Sequence, residues 1–190
     1  MAIEFIGFAA DWRITGQIPL ADDRLSDMLN SVVRVVVRGA TVEDLDTAEI
    51  ETGDVTVACG DLVVVVGTGR RGLENLRKRT VTRRIEVDLG RFVVAGDLHV
   101  PVPADQALMA GDPRDLLAGR DLLVPLTGAT IHYERGGRQV VETHETLIIN
   151  RARATHVQDG DTGAQTLVGT PSTTVAARWR TPRHVGSRTD

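Results

Sequence analysis

The chain has 190 residues, of which 42% are hydrophobic, 3% aromatic and 25% charged, and its net charge is −4. These proportions are typical of a globular protein with a packed core and exclude a disordered or fibrous chain. No apolar run approaches the ~20 residues of a membrane helix, and residues 1–5 lack the basic start and apolar stretch of a signal peptide. The single cysteine, Cys59, cannot form an internal disulfide, and 21 arginines accompany one lysine. We therefore expect a bacterial, cytoplasmic protein.

The first predicted elements are two strands and a short helix. Residues 3–8 can form an edge strand. Residues 12–20 alternate between apolar and polar side chains as a half-buried strand does, and Gly16 within them indicates a bulge or a close approach of another backbone. The helix that follows is marked by an apolar stripe at helical spacing, formed by Leu25, Met28 and Leu29.

An apolar strand at 32–43 comes next and ends in Gly39-Ala40-Thr41-Val42. After it lies an acidic connection, and Thr52-Gly53-Asp54 has the composition of a turn. Residues 55–66 are rich in valine and too short for a buried helix, so we expect one strand or two, with a break at Cys59-Gly60-Asp61.

A second series of elements repeats the first. Residues 92–101 match residues 12–20, with Gly96 at the position of Gly16. Asp112 and Pro113 form a favoured helix start before Leu117. An apolar run then ends in Gly128-Ala129-Thr130-Ile131, as the first run ends in Gly39-Ala40-Thr41-Val42. This recurrence predicts one β-rich unit used twice, with each copy completing the core of the other.

Two details of the second series can be specified further. Gly136-Gly137 is a favoured two-residue hairpin turn, which would place Tyr133 opposite Val140 and His132 opposite Val141. Thr146-Leu147-Ile148-Ile149 is matched to Asp61-Leu62-Val63-Val64 of the first unit.

The charge is distributed unevenly and divides the chain into four parts. Residues 1–68 form the first unit, with net charge −8, and residues 69–84 form a basic linker with net charge +6. Residues 85–158 form the second unit, with net charge −3, and residues 159–190 form a C-terminal tail with net charge +1. Because the tail is rich in Gly, Pro, Ser, Thr and Arg, its composition predicts weak order.

The basic linker is the candidate binding site of this sequence. A basic cluster can hold the phosphates of a nucleotide or a nucleic acid. No aromatic side chains lie among these residues to stack on bases, and the chain as a whole is acidic. The alternative is a solvated linker, or a strip that pairs with acidic residues of the same or another subunit. The residues are Arg70, Arg71, Arg77, Lys78, Arg79, Arg83 and Arg84.

Nothing in the sequence predicts catalysis, a cofactor or a metal. The acidic residues of 43–54 lack the spacing of a calcium loop, and the five histidines lack the compact spacing of zinc ligands. Cys59 lies in a valine-rich run, where a free cysteine behaves as a small hydrophobic residue. Residues 67–72 fit the glycine spacing of a dinucleotide-binding loop, but no βαβ unit surrounds them. We therefore expect a protein that is not an enzyme.

Residues 12–66 and 91–150 resemble a small β-rich domain of uncharacterised bacterial proteins. In that domain a leucine-containing turn precedes a strand that ends in an Ala-Thr/Glu-Val step, and the resemblance implies a tandem repeat with no known activity. The run Val35-Val36-Val37-Arg38-Gly39 is also similar to the final strand motif of Sm-like barrels. Here that run precedes the last strands of its unit, which disfavours RNA binding of the Sm kind. The matching turns are Arg24-Leu25-Ser26-Asp27-Met28-Leu29-Asn30 and Asp115-Leu116-Leu117.

The sequence thus predicts an all-β protein with short helices, built as two related small barrels or sheets packed about a pseudo-twofold axis. Duplicated sheets leave free edges, and free edges pair. We therefore expect a non-enzymatic binding or assembly component, an accessory or scaffold subunit that self-associates or docks to a larger protein complex. The alternative is a regulatory domain that binds a nucleotide or nucleic acid through the basic linker.

Overall fold

The structure is a computed structural model, and it describes residues 2–20, 24–68, 80–101, 115, 117–118 and 121–160. These residues form a mainly β protein, as the sequence predicts. Its first half contains β1 (Ala2–Phe8), β2 (Trp12–Pro19), α1 (Leu25–Ser31), β3 (Arg34–Asp44), β4 (Ile50–Ala58) and β5 (Val64–Val66). Its second half contains β6 (Thr80–Asp88), β7 (Val93–Pro101), β8 (Leu123–Arg135), β9 (Arg138–Asn150) and β10 (His156–Asp159). No helix in the described residues is long and apolar enough to cross a membrane.

All ten strands belong to one antiparallel sheet, in the order β10-β6-β7-β8-β9-β5-β1-β2-β3-β4. The order within each half is the same, because the fifth strand of the half lies beside its first strand and the other four follow in sequence. The sheet is open: among the described strands, β10 and β4 are its two ends and do not pair with each other. These pairings form one continuous sheet rather than two closed barrels.

The halves meet where β9 pairs with β5. These are the fourth strand of the second half and the fifth strand of the first half. A twofold axis would bring equivalent strands together, so this junction of the sheet is a head-to-tail contact rather than the pseudo-twofold contact expected from the sequence.

Two hydrophobic cores lie on opposite faces of the sheet at this junction. Successive side chains of a strand point to opposite faces, and Val65 of β5 lies in the first core while Val64 and Val66 lie in the second. The first core is enclosed by β1–β4 and α1. The second is enclosed by β6–β9 and also contains Phe8 and Leu45 from the first half. Each half therefore contributes side chains to the core of the other.

Several local features occur at matching places in the two halves. The β2–β3 pairing shifts register between Thr15 and Gln17, and the β7–β8 pairing shifts between Ala95 and Asp97. Each shift surrounds a glycine, Gly16 or Gly96, but the extra residue lies on the facing strand, β3 or β8. Gly16 is therefore the close approach to another backbone that the sequence also allowed, and the bulge lies opposite it. The glycines Gly39 and Gly128 both adopt left-handed backbone, with φ of 54° and 52°.

The β8–β9 hairpin and the break between β4 and β5 are also as predicted. Tyr133 lies opposite Val140 and His132 opposite Val141, on either side of a turn at Gly136-Gly137. Both glycines have positive φ, which favours glycine over any residue with a side chain. The predicted break at residues 59–61 is a short 3-10 helix, Cys59–Asp61, that separates β4 from β5.

One prediction about the first half is wrong. Thr52-Gly53-Asp54 is not a turn but part of β4, where Gly53 lies opposite Ala40 across a register shift in β3. The turn lies earlier, because the Asp44 carboxylate accepts hydrogen bonds from the backbone N–H groups of Asp46 and Thr47. An aspartate that bonds the backbone two and three residues on initiates a turn more strongly than composition indicates.

The match of residues 146–149 to residues 61–64 is also wrong. Leu147–149 belong to β9, the fourth strand of its half, whereas residue 64 begins β5, the fifth strand. Both segments are short apolar runs, and sequence periodicity alone does not distinguish neighbouring strands of this kind. The predicted helix start at Asp112 and Pro113, and the tail from residue 161 onward, lie outside the described residues.

Candidate assembly surfaces

The predicted basic site is only partly described. Arg70, Arg71, Arg77, Lys78 and Arg79 lie outside the described residues. Arg83 and Arg84 lie on β6, next to the end of the sheet that β10 forms.

Both of these described arginines are engaged by groups of the same chain. Arg83 binds the Asp159 carboxylate in a bidentate pair, with Nε–Oδ1 and Nη2–Oδ2 distances of 2.7 and 3.0 Å. This guanidinium holds the pKa of Asp159 below its ordinary value. Arg84 donates to Asp97 at 3.3 Å and to the carbonyl oxygen of Gly128 at 2.8 Å. Their charge therefore stabilises contacts between β6 and its neighbours in the sheet.

The junction between β5 and β9 combines backbone pairing with buried polar contacts. Val64, Val65 and Val66 pair with Ile149, Ile148 and Leu147. Asn150 ends β9 and is fully buried. Its amide donates to the carbonyl oxygens of Gly60 and Leu62 at 3.1 and 2.8 Å, and its oxygen accepts from the N–H of Ala152.

A second asparagine, Asn30, also links the two halves by hydrogen bonds. Asn30, in the last turn of α1, donates to the carbonyl oxygen of Leu123 and accepts from the N–H of Leu123, both at 2.9 Å. This pair of bonds satisfies both backbone groups of the first residue of β8. Because buried backbone groups must be paired, the contact fixes α1 against the second half.

Ion pairs join the halves at the hairpin between β8 and β9. Arg135 binds Glu43, which is 5% exposed, with an Nε–Oε1 distance of 2.6 Å. Arg91 binds Asp46 at 2.6 Å and Asp11 at 3.3 Å. The N–H of Gly136 donates to the carbonyl oxygen of Leu45 at 2.7 Å. The acidic connection of the first half therefore contacts the second half.

One polar network lies on β8 and β9. The hydroxyl of Tyr133 donates to Glu142 Oε1 at 2.7 Å, and His144 Nε2 lies 3.1 Å from Glu142 Oε2. Burial raises the pKa of Glu142, but these two hydrogen bonds outweigh burial, so its pKa is lower than usual. Burial and the bond to Glu142 raise the pKa of Tyr133. The tyrosine therefore keeps its proton and acts as a hydrogen-bond donor.

Cys59 and His99, two of the other candidate side chains among the described residues, have contacts as follows. Cys59 is buried, and burial raises the pKa of its thiol, which disfavours a nucleophilic thiolate. His99 lies 2.7 Å from the Thr127 hydroxyl. In the described part of the chain, no group of three or more histidine, cysteine, aspartate or glutamate side chains is placed to hold a metal.

The two ends of the sheet are the open surfaces of this fold. β4 pairs with β3 on one side, and β10 pairs with β6 on one side. Within the described ranges no strand pairs with the other side of either. Thr56 of β4 and His156 of β10 are exposed. An open edge presents N–H and C=O groups that can pair with another strand.

A groove of about 260 Å³ runs beside β10. Its walls are mostly small or apolar, and it lies between the helical segment at residues 117–118 and the strand. The lining residues are Leu117, Ala118, Arg151, Ala154, Thr155, His156 and Val157.

Sequence reasoning predicted free sheet edges, but it did not identify β4 and β10 as the strands that form them, and it did not predict the groove. The notable signal was the run from Asn150 through Val157, which repeats the order strand, 3-10 helix and short strand seen at Ala58 through Val66. Alignment by apolar runs obscured it, because β10 carries polar residues where β5 is all valine.

Comparison with known proteins gives no further assignment: no protein-family model, no curated protein and no solved structure matches this chain.

Proposed function

We propose that this protein is a non-enzymatic binding or assembly component that contacts other protein chains through the open edges of its sheet. The observation that carries the proposal is the open ten-stranded sheet, whose end strands β4 and β10 have no partner on their outer sides within the described residues. Strand addition at an open edge is a common mode of protein recognition, because the backbone groups supply affinity without a special side chain.

We further infer that the chain is a tandem repeat of one five-stranded unit, at residues 2–66 and 80–159. The repeated strand order and the two matching register shifts support this inference. So do matching backbone bonds: Ala9 N–H to Trp12 and Leu89 N–H to Phe92, both with carbonyl acceptors. Residues 80–84 and residue 159, which the sequence assigned to the basic linker and the tail, lie in β6 and β10, so the linker and the tail would comprise residues 67–79 and 160–190.

Binding of a nucleotide or nucleic acid through the basic linker is the alternative function. The pairing of Arg83 and Arg84 with Asp159 and Asp97 reduces the charge available at the described end of that linker. We therefore place it second.

Size-exclusion chromatography with light scattering, recorded at 260 and 280 nm, tests the proposal on freshly purified full-length chain. We expect a particle heavier than one chain, with a protein-like absorbance ratio. Thr56→Pro should abolish this association, because proline has no N–H to donate to an added strand. Proline is tolerated in edge strands such as β4, so the fold itself should lose little stability. Thr56→Ala keeps that N–H and serves as the control.

Two results would decide against assembly at the edges. A heavy particle with excess absorbance at 260 nm that is lost in salt would favour nucleic-acid binding. A single-chain mass at every concentration, with no co-purifying protein, would contradict the proposed function.

A further inference from the structure

We propose that the two open edges fit each other, so that β4 of a second copy of this chain pairs with β10 in the register that β9 adopts on β5. This inference rests on the proposed function, since it names the partner that the open edges bind. It would make the contact between copies a continuation of the contact between the two halves.

The junction inside the chain supplies the geometry. There β9 and β5 are antiparallel, with Val64 opposite Ile149 and Val66 opposite Leu147. The N–H of Asn150 donates to the carbonyl oxygen of Val63, at 2.9 Å. The contact therefore joins the fourth strand of one half to the fifth strand of the other.

The two strands at the ends of the sheet correspond to the two strands of this pair. β4 occupies the position of β9, because Arg34 pairs with Ala58 as Leu123 pairs with Asn150. A short 3-10 helix follows in both cases, at Cys59–Asp61 and at Arg151–Arg153.

β10 occupies the position of β5 by the same reasoning. The N–H of Val63 donates to the carbonyl oxygen of Phe8, and the N–H of Thr155 donates to that of Asp88. His156 then pairs with Asp88 as Val64 pairs with Phe8.

These correspondences define the register between two copies. His156 would lie opposite Val57 of the second copy, and Gln158 opposite Val55 of the second copy. Because N–H groups alternate in direction along a strand, and Asn150 points its N–H across the internal junction, Ala58 and Thr56 point theirs toward the open side of β4.

The groove beside β10 corresponds to a space that is filled by side chains at the internal junction. Cys59, Leu62 and Val65 occupy corresponding positions in the first half and share a core with Leu123 and Ile148, which the second half contributes. In the second half the corresponding space is the groove of about 260 Å³ lined by Arg151, Ala154 and Val157, among others. In the contact between copies, Arg34 and Thr56 of the second copy would occupy the positions that Leu123 and Ile148 occupy at the internal junction.

Charge at the 3-10 helices also fits this arrangement. Arg153 lies 3.7 Å from Asp61 across the internal junction. In the contact between copies, Asp61 of the second copy takes the position of Arg153, and Arg153 takes the position of Asp61. The pair therefore forms again between opposite charges.

The side chains differ from those of the internal junction in polarity. Thr56 replaces Ile148, and His156 and Gln158 replace Val64 and Val66. Less apolar surface is buried, so the contact between copies is weaker than the internal one and reversible. A head-to-tail contact uses different surfaces on the two copies, and it generates a ring if it closes or a filament if it does not.

Disulfide trapping tests the register. In a Cys59→Ala background, full-length His156→Cys chains are mixed with full-length Val57→Cys chains under mild oxidation. We expect covalent dimers from this mixture, because the two positions lie directly opposite each other. The matched control replaces Val57→Cys with Val55→Cys, which lies on the same face of β4 but two residues away, and should give at least tenfold fewer dimers.

A gain of association tests the chemistry. Thr56→Ile with Gln158→Val restores the residue types of the internal junction and should lower the concentration at which light scattering detects association. Thr143→Ile, an equal change on the exposed face of β9, controls for general adhesiveness.

Three results of trapping with the full chain would overturn the inference. They are the absence of dimers in the first mixture, equal trapping at position 55, and trapping that survives Thr56→Pro. Trapping that appears only after removal of residues 161–190 would show that the tail occupies the edge in the full chain, which also overturns it. A different protein bound at β4 or β10 would leave the proposed function standing while this inference fails.

Discussion

Buried polar side chains of the two halves hold the halves in register. The fully buried Asn150 satisfies the carbonyl groups of Gly60 and Leu62, and Asn30 satisfies both backbone groups of Leu123. An aliphatic residue at either position would bury backbone groups without partners, at about 1–3 kcal/mol each. Specific amides are therefore required where a purely apolar contact would allow one strand to slip along the other.

At this scale the Tyr133–Glu142 bond gives a stability that depends on pH. Tyr133→Phe removes the bond, and we expect a loss of about 1 kcal/mol in the free energy of unfolding at neutral pH. Because the folded state lowers the pKa of Glu142, the stabilisation is present above the ordinary glutamate pKa and is lost as pH falls through the lowered value. The difference between wild type and variant should therefore shrink in acid, as measured by urea unfolding between pH 7 and pH 3.

Thr155→Val is the control for this experiment. It removes a hydroxyl that donates to the carbonyl oxygen of Asp88 at 3.2 Å, a group that does not titrate. Its effect should not vary with pH over the same range. A pH-independent effect of Tyr133→Phe would contradict the assignment.

At the scale of the elements, two glycines that lie opposite bulges shape the sheet. A Cβ at Gly96 would lie 2.8 Å from the Cβ of Ala129 and 2.9 Å from the Cβ of Leu126. At Gly16 it would lie 2.6 Å from Val37 Cγ1 and 2.9 Å from the carbonyl oxygen of Arg38. Each glycine thus allows close contact between the second and third strands of its half.

We expect Gly96→Ala to destabilise the protein by about 1–3 kcal/mol, because the neighbouring atoms are Cβ atoms and cannot move without the backbone. Urea unfolding followed by circular dichroism measures the change. Gly60→Ala is the control, since a Cβ there would meet nothing within 4 Å. Equal stability of the two variants would show that the sheet adapts at the bulge.

Elements were predictable from the sequence where one local signal determines them. The stripe of Leu25 and Leu29 predicted α1, and Gly136-Gly137 predicted the hairpin and its register. The turn after β3 was not predicted, because its signal is a side chain, Asp44, that bonds the backbone of the next residues. The glycine at 53 that indicated a turn instead lies within β4, opposite Ala40 and next to a register shift caused by an extra residue in β3.

At the scale of the whole molecule, the cores are shared between the halves. Phe8 belongs to β1 of the first half, yet its ring packs edge-on against Phe92 and Tyr133 of the second half, at 5.6 and 5.2 Å between centroids. Ion pairs of Arg91 and Arg135 with acidic residues of the first half add to this contact. We expect the two halves to unfold together.

Phe8→Ala tests this coupling. The loss of a fully buried ring should cost about 3–5 kcal/mol, and it should accelerate amide hydrogen exchange in β6, β7 and β8, which lie in the other half. Phe5→Ala is the control, because Phe5 lies in the first core and its loss should act mainly on β1–β4. Unchanged exchange in the second half of Phe8→Ala would contradict a shared core.

The site is the part of the molecule that the sequence predicted least well. Charge composition indicated Arg83 and Arg84, but composition does not reveal that Asp159 and Asp97 lie beside them. The edges and the groove depend on which strands remain unpaired, and this follows only from the complete strand order.

By itself the sequence determined the β-rich character, the short helix, the glycine turn and the recurrence of one series of elements. These follow from patterns within a few residues, such as alternation, helical spacing and the backbone freedom of glycine. Only the tertiary structure decided that β9 pairs with β5, that the cores lie on opposite faces, and that β4 and β10 end the sheet. Those features depend on contacts between residues far apart in the sequence, such as Val64 with Ile149 and His156 with Asp88, whose register is selected by the combined packing and hydrogen bonding of both halves.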